Sequence, residues 1–172
     1  MGNIVNEVEK NWFFKLCDIL EKITLYTVMI ICATMLIVAW VHVIRRYIFN
    51  NSLTWSEEFL RFSLVWFALL SASIIHKKRG HLGIVTFREM MPKKIQIFLE
   101  RSLPYLALVA TSLTAIYGVN LMIRVQGQFS PALRIPVALP YAAIPISFIL
   151  MTLYGIAHII EDFKVALKVK NN

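Results

Sequence analysis

The sequence predicts an all-α integral membrane protein of four transmembrane helices plus interfacial amphipathic helices, with the N- and C-termini cytoplasmic. Three observations predict it. First, 58% of the 172 residues are hydrophobic and only 16% are charged, and mean hydropathy is +0.65. A soluble domain is nearer half apolar and a quarter charged. Second, apolar segments of bilayer-crossing length recur along the chain. Third, thirteen Lys and Arg residues fall on the two terminal flanks and the second connection, against five on the first and third connections. Basic residues mark the cytoplasmic side, which fixes the orientation. The net charge of +8 flanks the apolar segments and builds no separate basic domain. The partner it implies is lipid headgroups, not nucleic acid.

Residues 6–22 read as an amphipathic helix, with Trp12, Leu16, Ile19, Leu20 and Ile23 at helical spacing and Glu9, Lys15, Asp18 and Lys22 on the other side. Two readings stay open: a helix lying in the headgroup plane, or an extension of the first span into water. The first span, about 23–46, has a charge-free core of 22 residues, 23–44, enough for roughly 30 Å of hydrocarbon. Its position and length argue against a cleavable signal peptide. Arg45 and Arg46 follow, where cations suit the C-terminal end of the helix dipole.

The second apolar run, 62–75, is too short to cross alone, so the span is 55–76 and carries Glu57, Glu58 and Arg61 at the hydrocarbon edge. Thr54 and Glu57 have capping-box spacing, and Arg61 is three and four residues from the two carboxylates, so either pair can meet on one face. Charges at that depth normally face protein or water. Gly80-His81 then signals a turn. Residues 93–124 are too long for one simple span. Pro104 divides them into an interfacial segment, 93–103, and a third span, 104–124, because its ring clashes with the carbonyl four residues back. The fourth span, 140–160, opens among Pro136, Pro140 and Pro145, with a bend expected near Pro145. The whole chain is a single membrane domain.

The spans at 23–44, 104–123 and 140–160 contain no Asp, Glu, Lys or Arg. Ion-coupled carriers commonly display such groups in the membrane and often inverted repeats; this chain has neither. It is expected to transport nothing alone and to be no enzyme, since no nucleophile or metal-ligand cluster accompanies Glu57 and Glu58. Cys17 and Cys32 are 15 residues apart on one helix, beyond disulfide reach, and read as apolar fillers. Trp55 and Tyr47 read as interfacial aromatics. His76 and His158 lie at similar depth on different helices and raise an alternative, a haem-binding membrane subunit of a redox complex. Histidines facing headgroups are the commoner case.

Several pieces then fall into a pattern: Arg46-Tyr47-x-Phe49, Trp55-Ser56-Glu57-Glu58, Gly80-His81, Ser130-Pro131-Ala132-Leu133-x-Ile135-Pro136 and Tyr141-Ala142-Ala143-Ile144-Pro145. In this order and four-span setting the chain resembles the small, Q-type membrane subunit of tripartite ATP-independent periplasmic (TRAP) transporters. The sialic acid version looks slightly closer than the C4-dicarboxylate one. The resemblance implies a bacterial inner-membrane scaffold for a large elevator-type subunit, which holds the sodium and substrate sites. It also implies a periplasmic solute-binding protein that delivers an organic acid for symport. No cofactor is expected in this chain. Arg46, Tyr47, Trp55, Glu57, Glu58, Arg61, Gly80, His81, Pro136 and Pro145 are the expected subunit-interface or structural residues. Arg124 and Arg134 are the expected contacts for the binding protein.

Overall fold

The computed structural model describes residues 12–50, 53–78 and 93–170, with side chains described throughout except at 93–101 and 165–170. Residues 6–11, and with them the start of the amphipathic stretch, lie outside the described residues, as do Gly80 and His81.

The described chain is helical, its helices joined by turns and short irregular stretches, with one isolated bridge between Phe129 and Pro136. The helices are α1 (Trp12–Tyr47), α2 (Thr54–Lys77), α3 (Lys93–Arg124), the single turn α4 (Ala138–Tyr141) and α5 (Ala143–Lys170). Among the described residues, four stretches are long and apolar enough to cross a membrane: Trp12–Tyr47, Thr54–Lys77, Ser102–Arg124 and Ala138–Lys164. Helices suit this setting because each satisfies its own backbone polar groups without water. The side-chain hydroxyls follow the same rule. Thr24, Thr27 and Thr34 each donate to the carbonyl four residues back, at 2.7–3.0 Å.

α1 runs unbroken for 36 residues. At about 1.5 Å per residue it is some 54 Å long, so the segment before Ile23 continues the membrane helix. Of the two readings of that segment, the continuous one describes residues 12–22. α3 likewise runs through Pro104 without interruption. The chain does break near the other prolines. Ala142 separates α4 from α5, and Pro145 supplies no N–H to the Tyr141 carbonyl behind it.

α5 is the centre of the packing. It lies against α3 on one side and α2 on the other, and α2 in turn carries α1. Along α3 the buried residues Thr111, Ala115 and Gly118 are all small and recur about one turn apart, on the helix that packs against α5. Small side chains let helix backbones approach closely, the main source of helix association in lipid. At Gly118 the approach is extreme. A Cβ there would sit 2.9 Å from Ile144 Cγ2 and 3.2 Å from the Pro145 backbone nitrogen.

Candidate functional site

Two clusters of polar side chains tie the bundle together, one at each end. At the first, α2 begins one residue earlier than a Thr54 cap requires. Leu53 is the N-cap, with extended backbone and no side-chain cap bond. The Thr54–Glu57 capping box therefore does not form. Thr54 is already helical, and tertiary partners have taken its neighbours. The Ser56 hydroxyl donates to the Leu53 carbonyl at 2.7 Å and lies 2.6 Å from His42 Nδ1 on α1. His42 Nε2 is 3.8 Å from Glu57 Oε1. Arg61 is not an ion-pair partner of either glutamate, because Glu57 faces His42 and Glu58 faces backbone. Arg61 is exposed.

Glu58 makes the longest-range polar contact of this end. One carboxylate oxygen accepts from the backbone N–H of Ala132 at 3.0 Å and of Leu133 at 2.8 Å, across more than 70 residues of chain. A carboxylate receiving successive N–H groups is a charge-assisted cap for a turn. The turn it caps is closed on itself. Ser130 N–H donates to the Ile135 carbonyl, Arg134 N–H to the Ser130 carbonyl, and Val137 N–H to the Gln128 carbonyl. Arg134 sits at φ 53°, the left-handed region, at the tip. Two motif pieces, Trp55 to Glu58 and Ser130 to Pro136, thus meet in space.

The remaining predicted residues at this end point outward. Tyr47 is 75% exposed and Trp55 41%, and the Arg46 guanidinium lies 6.0 Å from the Tyr47 ring centroid. Arg124, Arg134 and Pro136 are exposed, whereas Pro145 is buried in the α3–α5 seam. An apolar cavity of about 160 Å³ lies beside the capped turn, lined by Ile31, Phe59, Trp66, Leu133 and Pro140 among others. No charged residue lines it, so it offers an organic anion no counter-charge.

The opposite end was not legible as a site. Lys77 Nζ reaches Asp18 Oδ1 at 2.6 Å, Glu21 Oε2 at 2.7 Å and the Cys17 carbonyl at 3.1 Å. It also stands 5.7 Å from the ring centroid of Tyr154, itself only 1% exposed. Lys78 adds a longer contact to Glu21 at 3.8 Å. This cluster joins the first part of α1 to the end of α2 over the α5 core. The only advance signal was two acids one turn apart beside a long apolar run.

Ser56, His42 and Glu57 are the residue types of a hydrolytic triad, but Ser56 is fully buried and its proton is used on Leu53. Among the described residues no group of three or more His, Cys, Asp or Glu could hold a metal. His76 and His158 do come together, edge to face with centroids 6.3 Å apart. Their surroundings are those of a packing pair. His158 Nε2 lies 3.3 Å from the His76 carbonyl and its Nδ1 3.9 Å from Glu161. A Cβ on Gly155 of α5 would come within 3.7 Å of His76 Nε2. Nothing in this packing supports the haem-binding reading.

What the arrangement provides is two locked ends and long bare apolar faces between them. The chain is 22% identical to the C4-dicarboxylate TRAP transporter small permease protein DctQ of Vibrio cholerae serotype O1, over 84% of this chain and 73% of that one. It is 27% identical to the sialic acid TRAP transporter small permease protein SiaQ of the same organism, over 60% of this chain and 58% of that one. It is 30% identical to the isethionate TRAP transporter permease protein DctMQ of Oleidesulfovibrio alaskensis, over 56% of this chain but only 16% of that longer protein. The family described as tripartite ATP-independent periplasmic transporters, DctQ component, matches residues 34–165, and the chain belongs to it.

Proposed function

We propose that this chain is the fixed scaffold of a three-part uptake system. It packs along a large elevator-type permease that holds the sodium and substrate sites, while a periplasmic solute-binding protein delivers an organic acid. The observation that carries the reading is the pairing of charge-free spans with a bare α1. A bundle with no Asp, Glu, Lys or Arg in three of its spans has no coupling groups of its own there. Its most apolar helix is also the least covered by the rest of the chain. The match to a segment of a much longer permease supports the partnership, since in DctMQ a similar stretch is part of one large polypeptide.

The substrate is an organic acid, either sialic acid or a C4-dicarboxylate. Relatives named for C4-dicarboxylate, isethionate and sialic acid all match this chain at 22–30% identity. That pattern fits a subunit that leaves substrate choice to its partners. The distribution of Lys and Arg supports cytoplasmic termini in a bacterial inner membrane, which turns the Glu58 end toward the periplasm. There Tyr47, Trp55 and Arg61 face the large subunit, with Glu57 and Glu58 fixing the end of α2, and the exposed Arg124 and Arg134 meet the binding protein. Purification of the tagged chain from its native membrane tests the partnership. A large multispan protein should co-purify at fixed ratio; isolation of this chain alone, from a membrane that contains such a permease, contradicts it. Charge reversal at Arg134 should slow uptake and weaken its salt dependence.

A further inference from the structure

The bundle leaves one face of α1 bare at the Lys77 end, and its composition is specific. Trp12, Lys15, Ile19, Lys22, Ile23 and Tyr26 fall within an arc of about 100° around the helix, and all six are exposed. Trp12 is 77% exposed. The acids of the same segment are turned elsewhere, Asp18 onto Lys77 and Glu21 onto Lys77 and Lys78. The sequence pattern grouped Lys15 and Lys22 with Asp18, opposite the apolar residues. The fold instead puts the two lysines among the exposed apolar residues and removes the acids. The stripe therefore carries two cations and no anion.

Its depth is also set. Lys77 ends the apolar run of α2, and its bonds to Asp18 and Glu21 put residues 15–22 of α1 at the level where α2 leaves the hydrocarbon. Lys15 and Lys22 are two turns apart, about 10.5 Å along the axis, on either side of that level. Lysines at such a boundary extend their stems along apolar surface and put the ammonium among headgroups. Tryptophan and tyrosine favour the same layer.

We propose that this stripe is a binding face for anionic phospholipid, with the headgroup phosphate held between Lys15 and Lys22 and an acyl chain lying along Ile23 and Tyr26. The proposal rests on membrane insertion alone and is independent of the scaffold role. A zwitterionic lipid presents no net negative charge to the pair, so the face discriminates by headgroup. A near-surface lysine favours an anionic lipid by about fivefold, so the pair should give a preference on the order of tenfold or more.

Native mass spectrometry of the purified full-length chain, offered equal phosphatidylglycerol and phosphatidylcholine of matched acyl chains at low salt, tests this. The unaltered chain should retain phosphatidylglycerol roughly tenfold over phosphatidylcholine. Lys15→Gln/Lys22→Gln should bring the ratio near parity, while Lys15→Arg/Lys22→Arg retains the preference. Lys78→Gln/Lys164→Gln removes the same charge at the same end, outside the stripe, and should also retain it. Parity in the unaltered chain, equal loss in the Lys78/Lys164 variant, or a preference surviving Lys15→Gln/Lys22→Gln overturns the proposal. So does a Lys15→Gln/Lys22→Gln chain that keeps its lipid preference but releases a co-expressed membrane protein, since the face then binds polypeptide.

Discussion

α1 and α5 both cross the apolar layer, yet they meet different surroundings. In the most apolar stretch of Ala138–Lys164, 44% of residues are buried within the chain; in that of Trp12–Tyr47, 11% are. Apolarity does not separate them, because lipid is as apolar as a protein core and gives helices no hydrophobic reason to associate. Side-chain size does. α5 buries small residues such as Ala143, Ser147 and Ala157 and receives Gly118 of α3 against Ile144 and Pro145, whereas α1 presents Ile30, Leu36, Ile37 and Trp40 to the outside. The small-residue face is finished by this chain. The large-residue face is what a lipid or another subunit covers.

The contrast can be broken at its tightest point. Gly118→Leu places a side chain where even a Cβ meets Ile144 and Pro145 backbone, and should cost about 3 kcal/mol, the upper range for overpacking. Leu36→Ala on α1, which is 58% exposed, should stay within about 0.5 kcal/mol in the isolated chain. Reversible unfolding in mixed detergent micelles reads both. Equal effects from the two substitutions would remove the distinction between the faces.

The two ends should respond more weakly and differently. Glu58→Ala frees the Ala132 and Leu133 amides, which should exchange hydrogen at least about tenfold faster. Glu58→Gln, which keeps an acceptor oxygen, should give a smaller change, and hydrogen-exchange mass spectrometry separates them. Unchanged exchange at both amides would mean the turn of residues 130–134 holds without its carboxylate. Lys77→Gln removes two ion pairs whose carboxylates are 58% and 23% exposed. Exposure and screening limit each pair to less than about 1 kcal/mol, and the difference from the unaltered chain should shrink as salt rises. A salt-independent loss would show that packing of the Lys77 stem over Tyr154, not charge, holds that end.

The four apolar helices were legible because span length and charge placement are one-dimensional properties. The ends were less so. Thr54 and Glu57 carried a valid cap signal, but His42, fifteen residues before Glu57 in the chain, folded back to lie beside Ser56 and Glu57 and changed their partners. Glu58 was flagged as a boundary charge. Its actual acceptor role was unreadable because backbone N–H groups have no sequence signature. In the sequence Lys77 is one of the basic residues of the second connection that set the orientation. Its acids lie 59 and 56 residues away, and only folding brings them within reach. Glu57 and Arg61 show the converse: helical spacing permits a pair, and a competing partner on α1 prevents it.

Reconstitution into liposomes with an imposed sodium gradient tests the central claim most directly. The purified chain alone should accumulate no sialic acid or C4-dicarboxylate, and sodium-dependent uptake should appear only when the large permease and the solute-binding protein are added. Sodium-driven accumulation by the isolated chain would contradict the account, because coupling would then reside in a bundle that has no evident groups to perform it.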